Sequence, residues 1–180
     1  MIKNKGSNKK WSEISCFLLG LSLFLALSAG MCAVVQAAPP RTVTPPPMTT
    51  GYTLNTLEQK AVLLLNEDRK NAGLEPLQVN LKLSKLAADY AADMNTRKFF
   101  AHIDPDGKDP FDRMAAIDID VPNEGENIAL SPDVETAQKM LLESPLHREN
   151  ILNPKFTEIG IGVRPASRGG VYLVQEFIGP

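Results

Sequence analysis

Once the first 37 residues are set aside, the chain has no cysteine, because Cys16 and Cys32 both precede Ala37. A domain without thiols forms no disulfide, holds no Cys-ligated zinc and runs no thiolate chemistry, so its stability must come from a packed core. Strong charge of one sign is missing as well. A formal net charge of -2 over 180 residues gives no bias toward phosphate backbones, which sets nucleic acid aside as a partner. Histidine is scarce: His102 and His147 are the only two, and neither falls on an apolar helical stripe. With 43% hydrophobic and 22% charged residues, the length suits one compact core rather than two. No internal repeat is present.

The N-terminus carries its own signal. Lys3, Lys5, Lys9 and Lys10 precede an uncharged run, Ile14 to Val35, that ends at Val35-Gln36-Ala37 before Ala38. A basic start, an apolar stretch and a small-residue exit describe a secretory leader cut after Ala37, so residues 1–37 read as a signal peptide. The run is also long enough to span a bilayer uncut, the one route by which this chain would meet a membrane. Met31 before Cys32 departs from the small residue a lipoprotein signal carries there. Loss of the leader would leave the remainder about three charge units more acidic.

Residues 38–53 hold five prolines and read as an extended Pro/Thr-rich linker or a disordered terminus. Residues 54–180 form the domain. Asn55 and Glu58 have the spacing of a capping box, and Gly73 suits a helix end, which predicts a helix over 56–72 with Leu57, Ala61, Leu64 and Leu65 inward. Leu83, Leu86, Ala87, Tyr90, Ala91 and Met94 predict a second helix with one buried stripe, in which Tyr90 reads as core. Asp109-Pro110 opens a short helix through Ala116. Ser131-Pro132 opens another, with Val134, Ala137, Met140 and Leu141 inward and Pro145 breaking or bending it. Alternation at Ile159, Ile161 and Val163, a turn at Arg168-Gly169-Gly170 and the run Val171–Phe177 predict a β-hairpin. Helices first and strands late indicate an α+β domain with a small antiparallel sheet covered by helices.

His102 falls among the turn signals Asp104-Pro105 and Asp106-Gly107, and His147 follows Ser144-Pro145. A histidine in such a context is either a solvated surface group or a positioned functional one. Between them, Glu124 and Glu126 are two residues apart and would share a face if the backbone is extended. Such a pair can raise one carboxyl's pKa, as general acid catalysis requires; the plain alternative is two solvated loop charges.

Taken together, Phe100-Ala101-His102, Gly125-Glu126-Asn127-Ile128-Ala129 and Ser144-Pro145-Leu146-His147-Arg148-Glu149-Asn150-Ile151-Leu152 resemble, in order and spacing, the bacterial CAP family of SCP-like extracellular proteins. Leu65–Arg69, Gly73–Leu77 and Val174–Phe177 extend the resemblance over roughly residues 54–179. It implies a three-layer α-β-α sandwich with a surface cleft where two histidines and two glutamates can hold a divalent metal, often zinc. His102, His147 and Glu126 match three of the four; the fourth is open between Glu143 and Glu124. Leu141 stands where bacterial relatives commonly have tryptophan, which removes an aromatic stacking surface. Asn127, Arg148, Asn150 and Gln175 are candidates to orient the cleft groups, with capping roles and a sheet-edge amide as alternatives.

Three functions compete on this reading. Glu126 could act as general acid or base on peptidoglycan, with His102 and His147 tuning it directly or through a metal. The cleft could instead serve a non-catalytic, metal-dependent module for lipid or wall components, for which lipid requires an apolar groove. A protease ranks third, since Ser144 has no acid-base partner evident in the sequence and reads as a helix end.

Overall fold

The computed structural model describes residues 2–4 and 51–180, so the expected leader and linker lie outside the described residues apart from that first short strand and the linker's last three residues. Helix α1 (Thr56–Asn71) starts where the capping box predicts. The Asn55 side chain accepts from the Leu57 and Glu58 amides, and the Glu58 carboxylate accepts from the Asn55 amide. The same carboxylate, fully buried, also takes the Tyr52 hydroxyl at 2.7 Å, an Arg164 guanidinium N–H at 2.7 Å and the Val163 amide at 3.2 Å. One capping residue thus stitches the helix start to a strand.

At the other end Arg69, also buried, donates to the carbonyls of Ile151 and Asn153 at 2.8 and 3.0 Å. The inward stripe of α1 is therefore Glu58, Ala61, Leu65 and Arg69, with Leu57 exposed, because two internally satisfied polar side chains take places that periodicity gave to leucine.

Helix α2 (Leu81–Arg97) buries Leu83, Ala87, Tyr90, Ala91 and Met94. Helix α3 (Pro110–Ala115) is capped by Asp109 with proline at its start. Helix α4 (Val134–Glu143) is capped by Asp133, not by Ser131-Pro132, since Ser131 still belongs to the preceding strand. It turns Gln138 inward and leaves Met140 exposed. Pro145 neither bends nor merely ends it: Ser144 is extended, and Pro145 opens a separate helix, α5 (Pro145–Ile151).

The described strands are β1 (Ile2–Asn4), β2 (Gln78–Val79), β3 (Asn123–Ser131), β4 (Glu158–Pro165) and β5 (Val171–Gly179), ordered β1-β3-β5-β4-β2. The β4–β5 hairpin forms as alternation predicted. The β2–β4 pair is parallel, so the sheet is mixed rather than antiparallel throughout. Strand β5 lies in the middle, flanked by β3 and β4. Both faces of the sheet are covered. Ala129, Leu173, Phe177, Ile159, Ile161 and Val163 pack with residues of α1, α4 and α5 on one face. On the other, Ile128, Val174 and Ile178 pack with α2 and with Met114 of α3. This is the expected three-layer α-β-α sandwich.

The α2 layer comes close because β4 presents glycine toward it. A Cβ on Gly162 would lie 2.2 Å from backbone atoms of Ala87 and Ala88, and one on Gly160 2.5 Å from the Leu83 backbone. Backbone cannot yield as a flexible side-chain end does. Gly162→Ala is accordingly expected to cost about 3 kcal/mol or more of unfolding free energy, the upper range for overpacking, measured by urea denaturation.

Candidate functional site

Strand β3 puts Glu124, Glu126 and Ile128 on the face covered by α2 and α3, and Asn127 on the opposite face. The two glutamates do share a face, as extended backbone requires, but neither is a solvated loop charge. Glu126 is 1% exposed and Glu124 is 6%. A carboxylate at that depth must be compensated, and Glu126 is. Its Oε2 accepts from Nη2 of Arg113 on α3 at 2.5 Å, and its Oε1 meets Nδ1 of His102 at 2.7 Å.

Arg113 is held in turn. It donates to the His102 and Lys108 carbonyls at 3.0 and 3.1 Å, and its guanidinium lies 3.5 Å over the Tyr90 ring. The Tyr90 hydroxyl donates to the Ala101 carbonyl at 2.6 Å. Tyr90 is core, as its stripe predicted, and its polar end also fixes the His102 loop. Burial pushes its hydroxyl's pKa up, so it stays a donor. His102 is 35% exposed at its side chain, with its inner nitrogen on the carboxylate. An Nδ1–H that donates to Glu126 leaves the lone pair of the neutral ring on Nε2.

His147 is on α5 rather than in a loop, and its Nδ1 pairs with the Ser144 hydroxyl at 2.8 Å. Burial first, and then His102 beside it, hold its pKa below the ordinary 6.5. Its helix is tied to β3 by buried amides. Asn150 Nδ2 donates to the Asn127 side chain at 2.8 Å and to the Glu126 carbonyl at 3.2 Å. Asn127 Nδ2 donates to the His147 carbonyl at 3.0 Å and to Gln175 Oε1 at 3.1 Å. Gln175 then donates to Gln138, and Gln138 to Asp68. Gln175 is on the central strand, not at a sheet edge, and this amide chain crosses from α5 to α1.

The remaining candidates make other contacts. Glu143 is exposed on α4 and sits 3.8 Å from Lys139, one turn away. Glu124 accepts the Val121 amide at 3.2 Å. Arg148 is exposed, lining a hollow with Pro145, Glu149 and Leu152.

Two site residues escaped the sequence reading. Arg113 gives no signal of its own in a short amphipathic helix. Glu176 did give one, an acid inside the apolar run of β5, and the structure places it directly opposite Glu126 and fully buried.

A metal bound through Glu126 does not fit this arrangement. Both of its oxygens are engaged, and a guanidinium at 2.5 Å would oppose a dication. Among the described residues, no three His, Cys, Asp or Glu side chains are grouped to hold a metal ion.

Two consequences are measurable. Arg113→Met should leave Glu126 buried without its cation and cost about 3–5 kcal/mol in urea unfolding. For His147, the folded-state pKa is depressed, so its stabilising contribution is fully present above the unfolded value of 6.5 and is lost as pH falls through the folded pKa. An NMR titration of the His147 ring should give a midpoint below that of a histidine in an unfolded peptide. His147→Gln should flatten the acid side of the stability curve.

Comparison with known proteins agrees with this architecture. The CAP family, described as the cysteine-rich secretory protein family, matches residues 62–177. The Bacillus subtilis protein YkwD is 39% identical over 127 residues, covering 70% of this chain and 48% of that protein. The B. subtilis membrane protein YlbC is 30% identical, over 69% of this chain and 35% of that one. The chain thus spans half or less of the length of these curated relatives. A solved extracellular protein from Bacillus anthracis containing an SCP domain superposes with TM-score 0.63 at 29% identity, over 68% of this chain and 40% of that one. An outer surface protein of Borrelia burgdorferi shares the fold, with TM-score 0.61 at 23% identity over 70% of this chain and 96% of that one. The family match spans well over half the chain and carries both histidines, Glu126 and the amides that hold them in place, so this protein belongs to the CAP family.

Proposed function

We propose that this protein is an exported, envelope-facing CAP domain in which His102, oriented by Glu126, acts as general base on peptidoglycan. The observation that carries this reading is the His102 Nδ1 to Glu126 Oε1 contact at 2.7 Å, on a carboxylate locked from behind by Arg113. A carboxylate buried and clamped in this way cannot reach a polymer. It can hold an imidazole in one tautomer and stabilise the imidazolium that forms when Nε2 takes a proton. The half-exposed histidine therefore takes the role that the sequence had offered to Glu126.

His147, kept neutral, can hydrogen-bond a substrate without adding charge. Two features support a position outside the cytoplasm: the basic and apolar N-terminal pattern, and similar solved proteins described as extracellular or outer-surface. Among the described residues no helix is long and apolar enough to cross a membrane.

A second reading, a non-catalytic module for a lipid or wall component, draws on a different feature. A cavity of about 600 Å³ is lined by Phe99, Phe100, Leu130 and Tyr172, with Lys98 and Arg168 also on its wall. Apolar walls with a few polar groups suit retention of an amphiphile.

Soluble fragments released from purified sacculi separate the two. His102→Ala and Glu126→Gln should each lower release by about 100-fold or more, the range for loss of general base catalysis, with circular dichroism unchanged. Equal release by the wild type and His102→Ala would overturn the catalytic reading. Retention on sacculi without any release would favour the binding module.

A further inference from the structure

Three charged or chargeable groups meet inside the α2/α3 side of the sheet, and their sum is awkward. Glu126 and Glu176 are directly paired across β3 and β5, with exposures of 1% and 0%. Among the described residues, Arg113 is the one guanidinium or ammonium group bonded to this pair, and it is committed to Glu126. Ionised together, the two carboxylates would leave a net negative charge in the core, at a separation set by adjacent strands.

Hydrogen bonding points the same way. Glu126 has partners for both oxygens, whereas among the described residues neither oxygen of Glu176 meets an N–H or O–H donor from another group. The side chain directly across the strand pair from Glu176 is the Glu126 carboxylate, which can only accept. Two carboxylates cannot hydrogen-bond each other. A carboxylic acid and a carboxylate can, and that bond is short and strong.

We propose that Glu176 is a protonated, positioning residue whose carboxyl O–H donates to Glu126, completing a His102–Glu126–Glu176 chain around Arg113. Glu126 then receives three donors from three elements: the His102 ring from the α2–α3 loop, the guanidinium from α3 and the acid from β5. Its orientation toward His102 is fixed by all three. The proton on Glu176 also spares the core a second negative charge, so the attraction that Glu126 exerts on the His102 ring is not doubled.

The groups facing Glu176 are Glu126 and Glu124 from β3, and Arg113 from α3, while Tyr90 of α2 covers Arg113. Both acids and burial itself favour its neutral form, and the guanidinium alone opposes it. Sequence places this glutamate where the β5 strand runs Val174-Gln175-Glu176-Phe177, and Gly160 of β4 lies opposite its other side. This inference deepens the reading of His102 and Glu126 as the working pair, and rests on that reading only for its consequence in catalysis.

Its test does not use activity, so it can fail separately from the proposed reaction. In infrared spectra of the purified protein at pH 7, a C=O stretch of a protonated carboxyl should be present in the wild type and absent in Glu176→Gln. The His102 ring, followed by NMR, should titrate at nearly the same pH in wild type and Glu176→Gln, because an amide N–H replaces a carboxyl O–H as donor and no charge is lost. Glu176→Leu, which donates nothing, should raise the His102 midpoint by strengthening the pull of Glu126 on the ring. Absence of the protonated-carboxyl band in the wild type would overturn the proposal. So would a fall of roughly one pH unit in the His102 midpoint in Glu176→Gln, the response expected if an ionised neighbour had been neutralised. Should the leucine variant fail to fold, the wild-type and glutamine spectra still decide the matter.

Discussion

The arrangement around Glu126 follows from one demand: a carboxylate placed in the middle layer of a three-layer fold has to be neutralised where it stands. Glu126 is 1% exposed on a strand whose neighbours on the same face pack against α2 and α3. Water cannot solvate it there, so protein groups must. Arg113 provides the charge and His102 a second contact. Each of these needs its own support, from the His102 and Lys108 carbonyls, the Tyr90 ring and the Tyr90 hydroxyl bond to Ala101. The short helix α3 and the irregular loop before it are thereby tied to the sheet by the same interaction that orients the histidine.

The opposite face solves a different problem by related means. His147 is carried by a helix of only seven residues, too short to hold its place by its own hydrogen bonds. Asn150, Asn127, Gln175 and Gln138 form a buried chain of neutral amides linking that helix to two strands and α4. Neutral amides donate and accept at once, so such a chain closes without burying charge. Gly125 keeps the passage open, since a Cβ there would come within 3.0 Å of both the Asn150 side chain and Phe156. One histidine is thus oriented through charge, and the helix of the other is held through dipoles.

Much of this was legible beforehand where the signal is local. The Asn55–Glu58 box set the start of α1, alternation located the β4–β5 hairpin, and His102, Glu126 and His147 were singled out by motif order. Failures occurred where one side chain answers to distant backbone. Leu57 and Met140 fit a helical stripe and are nonetheless exposed, because Glu58 and Gln138 have buried partners on other elements. Ser131-Pro132 looked like a helix cap, yet β3 continues through Ser131 in register with Val171.

The sequence alone determined the classes of chemistry open to the domain. A cysteine-free domain with two histidines and motifs in CAP order has no thiol route and an α-β-α core, and its candidate site residues are His102, Glu126 and His147. Which of the three is exposed and which is buried was decided only by the tertiary structure. Burial, strand pairing and ion pairing are non-local: Arg113 reaches Glu126 across 13 positions of chain, and Glu176 faces it across 50. Those contacts make Glu126 a clamped carboxylate rather than a free acid, with the His102 ring beside it, and the proposed general-base role of that ring rests on them.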